Sequence, residues 1–517
     1  MTTGASSLIE TAVQAGVEIC FANPGTTELP LVLALEKATG IRAVLGLFEG
    51  VCTGAADGWA RMTGRPAATL LHLGPGLANG LANLHNARRA RTPVVNWIGD
   101  HATHHLPFDA PLTSDIASLT DTIGWTRSIR SPQDMADASL DAIEAALGRP
   151  GRVASLIIPA NCQWEPGPPA LSVKPMPVLR EASGLAVQEA ARLLHGGGSR
   201  LLLGGNALTE RGLRAAGRIA AATTCSIWTE TFTSRQERGR HLPDFPSLPY
   251  FPEQACEALA NAKNLVLAGA REPIAFFAYP NQPSRLAPPG ANVYTLADPG
   301  TDIDAARALE MLAQELNAPI DGVTAPRHTE ALSPTDQQLD PDNLGRVISA
   351  FTPENAIVVN EAATTGLFWS AMHAANAAPH TMLGLTGGAI GQGLPVALGA
   401  ALACPERRVI AFQADGSGLY TLQALWSMAR ESIDVTIVVC ANRQYRILQI
   451  ELMKAVTIPG PKALALTELI RPPINWIDLA KGFGIPACRV HTNSELATAL
   501  TRVLAEPGPS LIEALLI

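Results

Sequence analysis

The sequence predicts an α/β protein built from three doubly wound parallel-sheet domains, and three observations carry that expectation. Its 517 residues suffice for about three domains at roughly 100–200 residues each. Two proline-rich stretches, residues 165–178 and 318–341, read as linkers, because repeated proline removes backbone donors and turns the preceding residue away from helix. Between them, short β-branched runs alternate with longer helical patterns. Those runs are continuously apolar, the mark of strands covered on both faces and joined by crossover helices. The units are therefore 1–165, 180–320 and 340–517.

In the first unit TAVQAG leads into the strand-like VEICFANPG, followed by the helical AADGWARMTG and the further runs AATLLHLGPG and TPVVNWIGD. In the second, RLLLGGN precedes a helical stretch and NLVLAGA repeats the form. In the third, NAIVVNE, RVIAFQAD and VTIVVCAN each end on small or polar residues, as strands do where they deliver the chain to a sheet edge.

Composition narrows the function. Hydrophobic residues make up 47% and charged residues 16% of the chain, the balance of a folded protein with ample core rather than a disordered one. A formal net charge of −8 argues against a general nucleic-acid or anionic-membrane binder. The cysteines at 20, 52, 162, 225, 256, 404, 440 and 488 form no CxxC pair, so neither a disulfide framework nor a zinc site is expected, and most should be reduced core thiols. The opening MTTGASSLIETAVQAG has no basic segment ahead of an apolar one, so no signal peptide is expected. No apolar run approaches the ~18 residues of a membrane span. The expectation is a cytoplasmic protein.

The most informative stretch runs from Phe412 to Tyr445. RVIAFQAD is a strand, GSG opens a helix carrying Leu422, Leu425, Trp426 and Ala429 on one face, and DVTIVVCAN is the next strand. A βαβ unit returns the chain parallel, so Asp415 and Asn442 should sit side by side on the sheet edge where ligands bind. A carboxylate with amide and backbone oxygens suits Mg²⁺ completed by phosphate oxygens and water. The N–H groups of Gly416, Ser417 and Gly418 suit a phosphate. On this pair alone, a reading as two turn caps stays open.

ADGS followed by ANRQY resembles the GDG…NN motif of the thiamine-diphosphate (ThDP) enzymes, a family that includes benzoylformate decarboxylase, pyruvate decarboxylase, pyruvate oxidase and acetolactate synthase. Ala414 and Ala441 depart from the motif, though neither lost side chain is a ligand in the family. FANPGTTELP (21–30), LGLFEGVCTGAADGWARMTGRP (45–66), LLHLGPGLANGLANLHNARRARTPVV (70–95), NEAATT (360–365) and LTGGAIGQGLPVALGAA (385–401) resemble further family segments in the expected order. The resemblance implies Mg²⁺ held by Asp415 and Asn442 through side chains and by Gln444 through its main-chain carbonyl. It implies ThDP contacts from Gly25, Gly76, Asn79, Thr364, Thr365, Gly388, Ile390, Gly416 and Ser417. Glu49 falls on the family's activating glutamate. It lies among Leu45, Leu47, Phe48 and Val51, apolar surroundings that suit proton movement on the cofactor's pyrimidine. The family takes this glutamate from one subunit and the metal site from its partner, so a homodimer or homotetramer is implied.

The activity that the resemblance implies is cleavage of a 2-oxo acid through a thiamine-bound carbanion. His72 aligns with an active-site histidine of benzoylformate decarboxylase and Thr26 with its substrate-binding serine, which favours decarboxylation to an aldehyde. The decarboxylase's second histidine is replaced by Phe276 and Phe277 in GAREPIAFFAYPN. Arg271 resembles the arginine with which acetolactate synthase holds its acceptor's carboxylate, so carboligation to a second carbonyl acceptor stays open. Against it, the family's DAFQE reads DAPLTSD here, with Pro111 and Leu112 in place of Phe and Gln. The pair His104–His105 is expected to be a loop. A catalytically silent homologue is the third alternative, opposed by retention of Glu49 and both metal side chains. FAD in the middle unit is not favoured, because LLLGGNALTERG (201–212) lacks a full GxGxxG.

Overall fold

Strands form where the apolar runs are densest. The computed structural model describes residues 2–171, 179–320, 335–455 and 458–517. Much of each expected linker, 172–178 and 321–334, lies outside them. The first segment gives β1 (Ile19–Asn23), β2 (Arg42–Leu45), β3 (Ala67–Leu71), β4 (Val94–Asp100), β5 (Trp125–Ser128) and β6 (Val153–Pro159). They form a six-stranded parallel sheet in the order β2-β1-β3-β4-β6-β5.

The middle segment supplies β7 (Ser199–Leu203), β8 (Ser226–Thr229), β9 (Arg235–Arg238), β10 (Asn264–Ala268) and β11 (Asn292–Ala297). Four of them make a parallel sheet, β11-β10-β7-β8. The last segment gives β12 (Ala356–Glu361), β13 (His380–Gly384), β14 (Val409–Ala414), β15 (Val435–Ala441), β16 (Ala487–Val490) and β17 (Ser510–Leu515).

The third sheet runs β16-β17-β15-β14-β12-β13-β9, so β9 crosses over from the middle segment and pairs antiparallel with β13. Its sequence, RQER, is polar. Glu237 accepts from Thr381 Oγ1 at 2.8 Å, and Arg238 is ion-paired to Asp244 at 2.7 Å. A short charged strand of this kind covers a sheet edge that would otherwise template foreign strands.

Helices Glu49–Thr63 and Gly393–Ala403 bind the first and third segments together. They cross so closely that a Cβ on Gly399 would lie 1.9 Å from Ala55 O, and one on Gly58 2.2 Å from Val396 O. Beside the crossing, buried Arg61 pairs with buried Asp57 at 2.6 Å and donates to Gly384 O at 2.7 Å and Ser234 O at 3.1 Å. Gln392 donates to the same Asp57 at 2.9 Å.

Strand order reverses between β1 and β3, between β7 and β10, and between β12 and β14. The carboxyl edges at these switch points are where open α/β sheets hold ligands. Among the described residues, no helix is long and apolar enough to cross a membrane.

Candidate functional site

At the carboxyl edge of the third sheet, β14 and β15 are neighbours with Ala414 opposite Cys440. Asp415 and Asn442 therefore meet, as the spacing predicts. Arg443 N–H donates to Asp415 Oδ2 at 2.7 Å, Gly416 N–H to Oδ1 at 2.9 Å, and Gln444 N–H to Asn442 Oδ1 at 3.1 Å. Arg443 takes a left-handed φ of 58° to close this turn. Asp415 is 3% exposed, and burial pushes its carboxyl up to about 6 despite those two backbone donors. Among the described residues no cationic side chain pairs with it. A buried carboxylate short of positive charge, beside amide and main-chain oxygens, fits a hard divalent cation.

The next two strand ends hold the loop 385–392. Gly388 has φ +79°, and a Cβ there would lie 2.6 Å from Phe276 Cζ. The ring of Phe276 thus rests on the loop, with Phe277 edge-on to it at 4.8 Å. Asn86 Nδ2 donates to Ala389 O at 2.7 Å, and His85 Nε2 lies 3.1 Å from Gly387 O. Ile390, in the same loop, is half-buried. Thr364 and Thr365 open the helix Ala363–Met372 at the end of β12, Thr365 buried and Thr364 half-buried.

Glu361, the last residue of β12, is 5% exposed. It accepts from Gly391, Gln392 and Gly393 N–H at 2.6, 3.2 and 2.5 Å and from Gln413 Nε2 at 3.2 Å. Burial pushes its carboxyl up, against the pull of these donors.

On the first sheet, Glu49 opens the helix Glu49–Thr63 and is 9% exposed. Asn79 Nδ2 donates to its Oε2 at 2.9 Å, and Gly76 keeps the space beside Oε1 clear, where a Cβ would lie 3.1 Å away. The structure thus brings Glu49, Gly76 and Asn79 together. His72 follows β3 at the β1/β3 switch point, its Nδ1 2.8 Å from Oε2 of Glu28, which is 0% exposed. Gly25 N–H and Thr27 Oγ1 also donate to that carboxylate, at 2.8 and 2.5 Å. Thr26 itself is exposed, and its hydroxyl makes no hydrogen bond among the described residues. It is Thr27 that lies 3.4 Å from His72 Nδ1.

Arg271 lies elsewhere. It is exposed beside Asp298 and Gly300, near a cavity of about 420 Å³ at the carboxyl edge of the middle sheet, lined by Arg91, Arg149, Gly205, Glu230 and Asp298. Burial pushes Glu230 up to about 7, opposed by Arg91 and, more weakly, Arg271. His104 and His105 occupy an exposed loop, with His105 against His101 and Phe108.

Sequence reasoning missed Glu28, Glu361 and Asn83, whose Nδ2 reaches Gly50 O at 2.8 Å and Gly391 O at 3.4 Å. The signal for Glu28 was available in NPGTTELP, where an acid three residues after Gly25 predicts a capping contact.

Two family models match the chain: the N-terminal TPP binding domain of thiamine pyrophosphate enzymes over residues 2–120 and the C-terminal TPP binding domain over residues 363–514. A Mycobacterium tuberculosis protein named "Putative acetolactate synthase large subunit IlvX" is 47% identical over 99% of this chain and 98% of its own length. Benzoylformate decarboxylase of Pseudomonas aeruginosa is 28% identical over 99% of this chain and 98% of its own. The solved structure of the Rhodococcus jostii RHA1 thiamine diphosphate-dependent 4-hydroxybenzoylformate decarboxylase superposes with a TM-score of 0.86 at 26% identity, covering 99% of both chains.

Proposed function

The chain belongs to the thiamine pyrophosphate enzyme family, and on that premise we propose that it is a ThDP- and Mg²⁺-dependent enzyme that cleaves the C1–C2 bond of a 2-oxo acid, benzoylformate-decarboxylase-like, releasing CO₂. The observation that carries the reading is the closure of the 442–444 turn onto buried Asp415, with Arg443 N–H 2.7 Å from its Oδ2. Asp415 and Asn442 would hold Mg²⁺ through their side chains and Gln444 through its carbonyl. Gly416, Ser417, Thr364 and Thr365 would receive the diphosphate, and Gly388 and Ile390 the pyrimidine. Bound ThDP supplies a nucleophilic carbon and a sink for the electrons of the broken bond.

The chain's own groups manage protons and orientation. Glu49, in a largely dry pocket with Asn79 as donor, is placed to hold and release a proton on the pyrimidine of a site completed by a second copy. Glu28 orients His72 through Nδ1 and leaves Nε2 to exchange a proton with substrate. Thr26, exposed on the same turn, would donate to the substrate carboxylate.

A second reading, carboligation with a second carbonyl compound, is favoured by Phe276 and Phe277. Phe276 places an apolar ring against Gly388, with Phe277 edge-on to it, where delivery of a proton to form the aldehyde would call for a protic side chain. The test is incubation with ThDP, Mg²⁺ and a panel of 2-oxo acids, following CO₂, aldehyde and acetolactate, with Glu49→Gln as control. CO₂ with aldehyde supports the first reading, acetolactate without free aldehyde the second, and no CO₂ from any acid sinks both.

On this reading residues 1–165 form the pyrimidine side, 180–320 a central domain without FAD, and 340–517 the diphosphate and metal side. A cytoplasmic location belongs to the same reading, supported by eight cysteines that are all free thiols.

A further inference from the structure

Glu361 belongs to none of the roles assigned above, yet its buried carboxylate joins the two loops that would grip opposite ends of the cofactor. Oε1 accepts from Gly391 and Gln392 N–H, and Oε2 from Gly393 N–H and Gln413 Nε2. The first three donors are consecutive and end the loop that carries Gly388 and Ile390. Both Gly388 and Gly391 have positive φ, +79° and +96°, so this loop depends on external anchoring. The fourth donor, Gln413 Nε2, also reaches Ser417 Oγ at 2.6 Å in the turn of Asp415.

A carboxylate at the start of the helix Gly393–Ala403 is favoured by the helix dipole. A plain cap, however, needs only the first turn of N–H groups. Here the acceptor reaches two residues back into the loop, and its other oxygen reaches a different strand.

We propose that Glu361 is a positioning residue that fixes the 385–392 loop, and with it the carbonyl of Gly388 and the side chain of Ile390, in the conformation that receives the cofactor's pyrimidine. The inference rests on the ThDP reading. A carboxamide cannot replace the carboxylate, because one end of Gln carries only donors and would leave two of the four N–H groups facing N–H. The diphosphate turn keeps its own bond from Gln413 to Ser417, so the loss should fall on the pyrimidine half of the ligand.

The test is calorimetric titration of wild type, Glu361→Gln and Glu361→Asp with ThDP in the presence of Mg²⁺ and, separately, with Mg²⁺ and inorganic diphosphate as a probe of the diphosphate half alone. Glu361→Gln is expected to weaken ThDP binding roughly 10- to 100-fold, the usual cost of removing a group that orients a ligand's direct contacts. Binding of Mg²⁺-diphosphate should stay within about 3-fold of wild type on the same argument. Glu361→Asp, which keeps the charge but draws it back by one methylene, should fall between; it carries the test by itself if the Gln variant does not fold. Equal ThDP affinity in wild type and variant overturns the inference. So does an equal loss for both ligands, which would make Glu361 a general support of the fold. A wild type that binds Mg²⁺-diphosphate but not ThDP, or neither, refutes the cofactor reading itself and this inference with it.

Discussion

Replacing Gly25 by Ala should disable His72 without touching any residue that would hold the cofactor's diphosphate or metal. Gly25 has φ −113° and ψ −161°, extended backbone that alanine adopts freely, so no backbone strain is introduced. The new Cβ would lie 2.2 Å from His72 Nδ1 and 2.4 Å from Cγ and Cε1. The ring must retreat by about 1.2 Å to reach the 3.4 Å of ordinary contact. Gly25 N–H and His72 Nδ1 meet the same oxygen of Glu28. Retreat from Gly25 is therefore retreat from Glu28, and the 2.8 Å hydrogen bond is lost. A displacement near 1 Å in a positioned catalytic group costs on the order of 100-fold, or about 2.7 kcal/mol of barrier.

The assay is kcat/KM for CO₂ release from whichever 2-oxo acid the panel identifies, in wild type, Gly25→Ala, His72→Ala and the double variant. Gly25→Ala should lose about 100-fold in the native background and much less once His72 is alanine, because most of its effect runs through the His72 contact, any remainder being Gly25's own implied contact with ThDP. Wild-type activity in Gly25→Ala, or an equal loss from Gly25→Ala in both backgrounds, would refute the placement of His72.

Glu49→Gln should lower kcat by about 10²-fold or more, within the usual range for a general acid–base group, while the thermal midpoint stays near wild type. Chelation of divalent cations from the ThDP-loaded enzyme should abolish activity and lower the thermal midpoint, with Mg²⁺ restoring both, since a ligand at about 100 times its Kd adds about 2.7 kcal/mol; Asp415→Ala should show neither response. Asp57→Asn should destabilise by roughly 3–5 kcal/mol in denaturant titration, because it strips the partner from buried Arg61. His380 is 3% exposed, and burial, helped by Arg238 and Arg407, lowers its pKa to about 4. It therefore stays neutral in the fold while the unfolded chain takes up its proton below about 6.5. Stability contributed by this group is present above pH 6.5 and falls by up to about 3 kcal/mol as pH drops towards 4; His380→Leu should flatten that part of the stability–pH curve.

The fold and the meeting of Asp415 with the 442–444 turn were legible in sequence for the same physical reason. Runs such as VTIVVCAN can only be strands buried on both faces, and a right-handed crossover then dictates which strand ends lie together. Asp415 and Asn442 follow from that geometry before any side chain is placed. Contacts set by loop conformation were not legible. His72 and Glu28 are 44 residues apart, and nothing local says that the turn after β1 folds under the end of β3. Glu361 reads only as the last residue of an apolar strand, since its four donors come from a glycine-rich loop and a neighbouring strand. RQER carries no apolar signal, so its transfer from the middle segment to the edge of the third sheet could be seen only in three dimensions. Arg271 shows the converse. Its motif suggests an acceptor carboxylate, but the chain turns after β10 and leaves it beside Asp298 and Gly300, while Phe276, five residues on, is the one that reaches Gly388.

The most direct measurement is calorimetric titration of ThDP into the cofactor-free protein with and without Mg²⁺. Saturable binding at one ThDP per chain that disappears when Mg²⁺ is withheld, and is absent from Asp415→Ala, is the result expected if Asp415, Asn442 and Gln444 anchor the diphosphate through the metal. Binding that is indifferent to Mg²⁺ and to Asp415, or no saturable binding at all, would contradict it.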